Sequence, residues 1–281
     1  MTTYRTMNYK SATTFYSPEY GDAVMTTGLN PTRGLLGKGY RFDFSEYPHL
    51  LIAGSSGSGK SVLVNSLVLS MMYASAPTQS SFVFIDPKMV EFQIYENSPH
   101  LYMPVCTEME RAIPTLEKVE KEMMRRYKEL KEKRLRKYEG QHIYVVIDEL
   151  AQLIDYDKKA TQRVLSSLAR LGRASGIHLI VATQYPTRAY ISNQILTNFD
   201  CRVVMRCDSA LSYRTVLGVS LPADLIPQQT GDGVLIRAGK FAPFHCPYVS
   251  EKDYDWFIEH SKFEVTNIRK TGGLFSRLFS H

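Results

Sequence analysis

Residues 50–61 read Leu-Leu-Ile-Ala-Gly-Ser-Ser-Gly-Ser-Gly-Lys-Ser, and this stretch decides the fold. An apolar run leads into a glycine-rich turn, and a second apolar segment follows the Lys-Ser pair. Gly54, Gly59, Lys60 and Ser61 fill the pattern G-x-x-x-x-G-K-[ST], which is typical of a phosphate-binding P-loop. Glycines let the backbone approach a phosphate closely, and the N-terminus of the next helix favours the same anion. The stretch therefore predicts a nucleotide site between a strand and a helix.

The P-loop pattern gives its residues separate candidate roles. Lys60 is expected to reach the β- and γ-phosphates of ATP, and the Ser61 hydroxyl is expected to hold Mg²⁺. Successive backbone N–H groups would form a nest around the phosphates. The candidate ATP-binding residues are Gly54, Ser55, Ser56, Gly57, Ser58, Gly59, Lys60, Ser61 and Val62.

Composition and length are those of an ordinary globular protein. The chain has 281 residues, of which 44% are hydrophobic and 22% are charged. No apolar run reaches the roughly 18–20 residues of a membrane span, and residues 1–5 lack the apolar core of a signal peptide. Cys106, Cys201, Cys207 and Cys246 form no C-x-x-C pair, which favours buried thiols in a reducing compartment over a zinc site. We expect a cytoplasmic protein with no integral membrane segment, peripheral to a membrane at most through a partner.

Positive charge is concentrated in one segment. The formal net charge is +6, and residues 117–137 hold ten Lys/Arg and five Glu, a net +5. Overall charge therefore supports a nucleic-acid partner only weakly. Residues 109–138 read as one long helix with Glu and Lys/Arg four residues apart, and such pairs are typical of a solvated helix face. The pairs are Glu117–Lys121, Glu122–Arg126, Glu129–Lys133 and Glu132–Arg136.

Several short apolar runs, separated by helical connections, predict an α/β fold. The predicted strands are 50–53, 81–85, 143–147, 178–182, 202–205 and 233–236, and helices are predicted over 61–73 and 161–171. This alternation favours a mostly parallel sheet with helices on both faces.

Polar residues follow two of these strands directly. Asp148 and Glu149 follow the run 143–147, which is the Walker B pattern. The strand 178–182 is followed by Thr183 and Gln184. Asp148 is expected in the Mg²⁺ shell, Glu149 to polarise the attacking water, and Gln184 to sense the γ-phosphate. Open parallel sheets bind ligands at the carboxyl ends of their strands, where all of these residues fall.

The two ends of the chain are less regular. Residues 1–32 are polar and lack a sustained period, whereas 34–44 predict a hairpin. The tail from Lys240 is expected to be irregular, and 272–279 form a short amphipathic end that we expect to fray or to pack on its own domain. We therefore divide the chain into an N-terminal arm and hairpin over 1–45, an ATPase motor domain over 46–250 and a C-terminal tail over 251–281.

The motifs together resemble the FtsK/SpoIIIE family of hexameric double-stranded DNA translocases, over about residues 36–236. The resemblance lies in Pro48 to Val62, Ile85 to Phe92, Glu122 to Tyr127, Val146 to Leu150, Gly172 to Gln184 and Ser212 to Leu217. It implies a RecA-like P-loop motor that forms a homo-oligomeric ring, usually a hexamer, around duplex DNA. ATP would lie between subunits, and an arginine of the next subunit would complete the site. Arg173 matches the family's arginine best, followed by Arg126 and Arg125, and an ion pair within the subunit is the alternative for each.

The resemblance is weaker at the DNA-contacting positions. Tyr185, Leu196 and Ala210 stand where larger members tend to carry basic residues. Four arginines remain in this region, namely Arg188, Arg202, Arg206 and Arg214. Arg188 and Arg214 are the DNA-binding candidates, with Arg214 the better match, and they would contact phosphates with little regard to sequence.

The sequence thus predicts an ATP-hydrolysing translocase of double-stranded DNA, acting in DNA transfer, segregation or the maintenance of a mobile element. One alternative keeps the fold and moves protein cargo, as in type VII secretion. The other is an adaptor that recruits a relaxase or another DNA-processing protein.

Overall fold

A central sheet with helices on both faces organises the chain, and the computed structural model describes residues 14–17, 21–24, 33–37, 40–44 and 46–246. The strands are β1 (Thr14–Ser17), β2 (Gly21–Val24), β3 (Arg33–Gly37), β4 (Tyr40–Asp43), β5 (His49–Ala53), β6 (Ser80–Ile85), β7 (His142–Ile147), β8 (Ile177–Thr183), β9 (Cys201–Met205), β10 (Asp232–Arg237) and β11 (Lys240–His245). The helices are α1 (Lys60–Ala74), α2 (Met109–Lys133), α3 (Leu150–Ser175), α4 (Asn193–Asn198) and α5 (Ala210–Leu217), with short 3₁₀ turns at Gln93–Tyr95 and Ala223–Leu225.

The main sheet has seven strands in the order β11-β10-β9-β5-β8-β7-β6. Strands β9, β5, β8, β7 and β6 are parallel neighbours, whereas β10 and β11 join antiparallel at the β9 edge. The predicted α/β class with a mostly parallel sheet is therefore confirmed. Because β5 lies between β8 and β9, the segment after β5 begins in the middle of the carboxyl edge of the sheet, next to the ends of both neighbours.

Alternate residues of the strands pack into two apolar layers, one on each face of the sheet. One layer contains Leu51, Val145 and Val181 together with side chains of α2, α3, α4 and α5. The other contains Leu50, Val146 and α1, which is buried along most of its length, as its apolar sequence predicts. Strands that are buried on both faces read as continuous apolar runs, which is why the sequence locates them well.

Helix α2 ends five residues before the predicted end at residue 138. Arg134 adopts a left-handed conformation with φ 53° and closes the helix. The chain then turns so that the N–H of Tyr138 donates to the carbonyl of Ala174 at 2.8 Å, and the Tyr138 ring lies 4.2 Å below the Arg126 guanidinium carbon. This tertiary contact ends the helix, although the charge spacing typical of a helix continues in the sequence beyond Arg134.

Helix α3 is longer than the predicted 161–171, and it contains a break. Asp157 leaves the helical conformation at φ −150° and ψ 94°. Its carboxylate then accepts from the N–H of Ala160 at 2.9 Å and caps the second half of the helix. The Thr161 hydroxyl donates across the break to the carbonyl of Leu153 at 2.8 Å.

The expectation of an irregular tail from Lys240 is wrong for its first residues. Lys240–His245 form β11, which pairs antiparallel with β10. A tight turn at Ala238 and Gly239, both with positive φ, joins the two strands. Pro243 lies within β11, and an edge strand tolerates proline because one row of its N–H groups has no ladder partner.

The predicted hairpin over 34–44 is present as the antiparallel pair of β3 and β4, and a second hairpin, β1 with β2, lies before it. The rest of the arm and the tail beyond residue 246, including 272–279, lie outside the described residues. The four cysteines are buried as expected, and burial raises the pKa of the Cys207 thiol to about 12. Across the described ranges, we find no helix with both the length and the apolarity needed to cross a bilayer.

Candidate nucleotide-binding site

Two glycines of the P-loop lie where a side chain does not fit. A Cβ at Gly54 would come 2.6 Å from the Ser58 hydroxyl oxygen and 3.0 Å from the Cβ of Met205. Gly59 has φ +93° and serves as the N-cap of α1, and a Cβ there would come 3.1 Å from the backbone nitrogen of Gly231. The pattern needs glycine at these positions because the loop wraps tightly and packs on a neighbouring turn.

The P-loop is fixed from two sides by hydrogen bonds. The Ser55 N–H donates to the carbonyl of Arg206 at 3.0 Å, and the Ser55 hydroxyl donates to Asp208 at 2.7 Å. On the other side, the N–H of Gly231 donates to the carbonyl of Ser58 at 2.9 Å. Ser56 and Gly57 lie exposed at the top of the loop. The loop is therefore supported at its flanks and open at its top, with the first N–H groups of α1 left without helical partners.

Lys60 and Asp148 meet although 88 residues separate them in sequence. The Lys60 ammonium nitrogen lies 3.3 Å from the Asp148 Oδ1 and 3.3 Å from its carbonyl oxygen. Both side chains are buried, with Lys60 only 4% exposed. The Walker A and Walker B residues predicted from sequence therefore share one site.

Glu149 is fully buried at the start of α3. Its carboxylate accepts from the Thr183 hydroxyl at 2.7 Å, from the Gln184 N–H at 3.0 Å and from the Ala151 N–H at 3.2 Å. Lys88 adds a positive charge, with its ammonium nitrogen 3.6 Å from Oε2. These contacts hold the carboxylate at the junction of β7 and β8, where the sequence places a water-polarising group.

The residues present fit a nucleotide and a divalent cation. Some buried side-chain oxygens of the described residues have no hydrogen-bond partner, and two of them, Ser58 Oγ and Asp148 Oδ2, belong to the P-loop and to the Walker B pair. Buried oxygens normally have a partner, so this pair is consistent with a ligand that completes the site. The Ser61 hydroxyl donates to Glu91 at 2.7 Å, which leaves its lone pairs available to a cation. Val62 lies half-buried in the first turn of α1.

Gln184 lies beside Glu149 at the tip of β8, as predicted. Its backbone N–H contacts the Glu149 carboxylate, and its side chain is half-buried. The structure thus brings Lys60, Asp148, Glu149 and Gln184 to one edge of the sheet.

The arginine-finger candidates lie away from this edge. Arg173 is exposed in the last turn of α3, just before β8 begins at the opposite edge of the sheet. Strand β8 has seven residues, so about 20 Å separate Arg173 from Gln184.

Arg126 and Arg125 follow the alternative that the sequence left open, an ion pair within the subunit. Arg126 is 2% exposed; it pairs with Glu122 at 2.8 Å and donates to the carbonyl of Ser175 at 2.8 Å. Burial and bonds within its own chain favour the ion-pair alternative for Arg126. Arg125 pairs with Glu122 at 2.7 Å and with Glu129 at 3.2 Å.

Three of the arginines after Gln184 differ in their surroundings. Arg188 and Arg214, the predicted DNA contacts, are both exposed, and Arg188 donates to Asn193 at 2.6 Å. Arg202 instead donates to backbone carbonyls, including that of Leu217 at 2.9 Å, and burial lowers its pKa. Arg202 therefore has a structural role.

No role was predicted from the sequence for Lys88, Glu91 or Thr183, although all three contact predicted site residues. The available signal was position, because Asp86-Pro87-Lys88 and Thr183 end buried strands at the carboxyl edge. Asp208 was also missed, and it follows β9 at the same edge.

Comparison with known proteins gives a consistent result. The profile of the FtsK/SpoIIIE family matches residues 25–142 and 136–188. The DNA translocase FtsK of Helicobacter pylori strain J99 is 37% identical over 245 residues, which cover 82% of this chain and 29% of that protein. The chain spans between 26% and 39% of the lengths of the first curated relatives that it matches.

Solved structures share the fold. The pCW3 conjugation coupling protein TcpA, in a monomer form with ATPγS, matches with a TM-score of 0.73 and 26% identity over 89% of this chain and 74% of that one. The cytoplasmic domain of the Thermomonospora curvata type VII secretion ATPase EccC matches with a TM-score of 0.67 and 27% identity, over 79% of this chain and 29% of that one. With its RecA-like α/β fold, its P-loop and this match over more than half of its length, the chain belongs to the FtsK/SpoIIIE family of P-loop ATPases.

Proposed function

We propose that this chain hydrolyses ATP and uses the energy to move double-stranded DNA as part of a homo-oligomeric ring, in DNA transfer, segregation or the maintenance of a mobile element. One observation carries the proposal: Lys60, Asp148, Glu149 and Gln184 meet at the carboxyl edge of a sheet in a chain of the FtsK/SpoIIIE family. The DNA translocase FtsK relatives support the cargo, and the coupling protein TcpA supports a role in conjugation.

The chemistry follows from the arrangement of the side chains. The P-loop N–H groups and Lys60 would hold the phosphates. A bound Mg²⁺, held by Ser61 and Asp148, would neutralise charge on the β- and γ-phosphates. Glu149 would orient a water and accept its proton as the water oxygen bonds to the γ-phosphorus and the bond to the β–γ bridging oxygen breaks. Gln184 would sense the γ-phosphate beside that water.

Arg173 is proposed to complete the site of the next subunit. It lies too far from Gln184 of its own chain to act there, which supports a role in trans in a ring, a hexamer as the resemblance implies. The carboxyl edge of the sheet would then carry the subunit's own nucleotide site, and Arg173 at the amino edge would act on the nucleotide site of the next subunit.

Contacts to DNA are proposed for Arg188 and Arg214, whose exposed guanidinium groups suit phosphate oxygens. We keep residues 46–250 as the motor unit, with 1–45 and 251–281 as an arm and a tail. A relaxase is a candidate partner if the motor serves conjugation.

A protein-moving ATPase is the second candidate. It rests on the likeness to the type VII secretion ATPase EccC, at 27% identity, whereas the DNA translocase FtsK relatives favour DNA as the cargo. The two candidates share the ATPase site and differ in what stimulates it.

Substitution of Glu149 by Gln tests the proposed hydrolysis. Glutamine keeps the side-chain oxygen that caps α3, but it lacks the carboxylate that would accept a proton. We expect Glu149→Gln to bind ATP with parental affinity and to lose turnover by at least about 100-fold. Phosphate release and binding of a fluorescent ATP analogue measure the two quantities, with Glu110→Gln on the exposed face of α2 as the control. Hydrolysis at the parental rate would show that Glu149 is not the base.

A further inference from the structure

The segment 86–91 follows β6 directly and lies at the same edge of the sheet as the P-loop. Asp86 is buried, and its Oδ2 accepts from the N–H groups of Glu91 and Phe92, both at 2.9 Å. The N–H of Met89 donates back to the Asp86 carbonyl at 3.0 Å. One residue at the start of the segment therefore fixes its path.

Lys88 supplies the counter-charge of the proposed base. Its ammonium nitrogen lies 3.6 Å from Glu149 Oε2, and this is the ion pair that Glu149 makes within the described part of the chain. Glu149 is fully buried, whereas the Lys88 side chain is 28% exposed. A buried carboxylate without a positive partner is strongly unfavourable, so Lys88 helps to hold the Glu149 side chain in place.

Glu91 contacts the other end of the site. Its carboxylate accepts a hydrogen bond from the Ser61 hydroxyl at 2.7 Å. A hydroxyl has one proton and two lone pairs. With its proton committed to Glu91, Ser61 directs its lone pairs elsewhere, and outer-shell hydrogen bonds of this kind orient metal ligands.

The backbone between these two residues is held in an unusual conformation. Met89 has φ +57°, which non-glycine residues adopt rarely. Such a conformation persists where the surroundings determine it, and it concentrates at functional sites. Here the hydrogen bonds of Asp86 hold the segment in this conformation.

We infer that the segment 86–91 positions the catalytic groups for ATP hydrolysis, with Lys88 holding Glu149 and Glu91 orienting Ser61. The inference rests on the proposed ATPase function. Both residues act through another side chain and are positioning residues. One short segment would thereby couple the water-activating and metal-holding sides of the site.

Replacement of Lys88 tests the first half. Lys88→Met keeps the length of the side chain and removes its charge, and Lys88→Arg restores the charge. We expect Lys88→Met to lower kcat by about 10- to 100-fold, because displaced catalytic groups cost rates of this order, while KM stays within about twofold of the parent. Lys88→Arg should recover most of kcat. Lys121→Met, at an exposed lysine of α2, is the matched control.

Replacement of Glu91 tests the second half through binding alone. We expect Glu91→Ala to raise the Mg²⁺ concentration that gives tight binding of a fluorescent ATP analogue by about 10-fold, as loss of an outer-shell partner does. Glu91→Gln keeps an acceptor oxygen for Ser61 and should restore the parental value, and Glu96→Ala is the control. An unchanged Mg²⁺ requirement in Glu91→Ala would overturn this role.

Thermal unfolding of a double-mutant cycle tests whether Lys88 acts on Glu149 or only contributes to the stability of the fold. Lys88→Met should lower Tm in the parent but not in Glu149→Gln, where no buried charge needs a partner. An equal loss of Tm in both backgrounds would overturn the pairing.

Glu149→Gln separates failure of this inference from failure of the proposed function. If Glu149→Gln is inactive and Lys88→Met turns over at the parental rate, the role of Lys88 is wrong and the ATPase proposal stands. If Glu149→Gln itself turns over at the parental rate, the proposed base is wrong and the inference falls with it.

Discussion

The position of Arg173 favours the proposed action between subunits over action within its own subunit. It ends α3 at the amino edge of the sheet, while Lys60 and Glu149 lie at the carboxyl edge. A side chain cannot span the length of β8 to reach its own nucleotide site. In a ring, the same position can face the site of the next subunit.

Mixing of two inactive variants tests this arrangement. Arg173→Ala should bind ATP and lose turnover by about 10³-fold, the scale of an arginine finger. Lys60→Ala should lose ATP binding. In mixtures of the two, some interfaces combine an intact Lys60 with an intact Arg173 of the neighbour, so ATPase activity should return.

The control for this mixing is Arg170→Ala, which removes an exposed arginine of the same helix. It should keep parental activity by itself. If the mixture of Arg173→Ala and Lys60→Ala stays inactive although both variants assemble, Arg173 does not act between subunits.

At the scale of elements, the amino ends of β5, β7 and β8 carry a buried group of histidines. His142 Nδ1 lies 2.8 Å from His178 Nε2, and His178 Nδ1 lies 3.1 Å from the carbonyl of Pro48. His49 donates from Nε2 to the carbonyl of Ala169 at 2.8 Å. These hydrogen bonds are made by neutral imidazole rings, and they join the first residues of the strands to each other and to α3.

Burial lowers the pKa of His49 and of His142 to about 4, and it lowers that of His178 well below its usual value. Unfolded histidine titrates near 6.5, so the unfolded chain binds more protons between these values. The stabilisation is therefore complete above about pH 6.5 and is lost as the pH falls toward about 4. The charge of Arg126 near His142 acts in the same direction.

We expect the free energy of unfolding to fall by about 2 kcal/mol per histidine between about pH 7.5 and about pH 5. Urea unfolding at the two pH values measures it. His142→Gln should reduce the dependence, because glutamine has no charge to gain. An unfolding free energy that is equal at both pH values would rule out this role of the histidines.

The sequence predicts elements well where one local pattern decides them and poorly where distant contacts do. The buried strands and α1 follow from continuous apolar runs. The end of α2 does not, because the Glu–Lys spacing continues past Arg134 while the contact of Tyr138 with Arg126 turns the chain. Similarly, Asp157 breaks α3 through a capping bond that the apolar period does not reveal.

For the molecule as a whole, sheet topology explains which part of the site was predictable. Parallel strands end at one edge, so a P-loop, an Asp-Glu pair and a polar Gln after three strands had to converge. The pairs Lys88–Glu149 and Ser61–Glu91 depend on the path of the segment 86–91, which no local pattern specifies. Partner groups of the catalytic residues are thus the part that required the structure.

As a whole assembly, the proposed motor is a ring that grips duplex DNA through its phosphates. Such contacts release counterions, so DNA binding weakens steeply as salt rises. The most direct test is the steady-state ATPase rate with and without linear duplex DNA across a salt series, with equal nucleotide amounts of single-stranded DNA as the control. We expect strong stimulation by duplex DNA at low salt that fades as salt increases. A rate that is indifferent to DNA at every salt concentration would contradict it and favour a protein-directed ATPase.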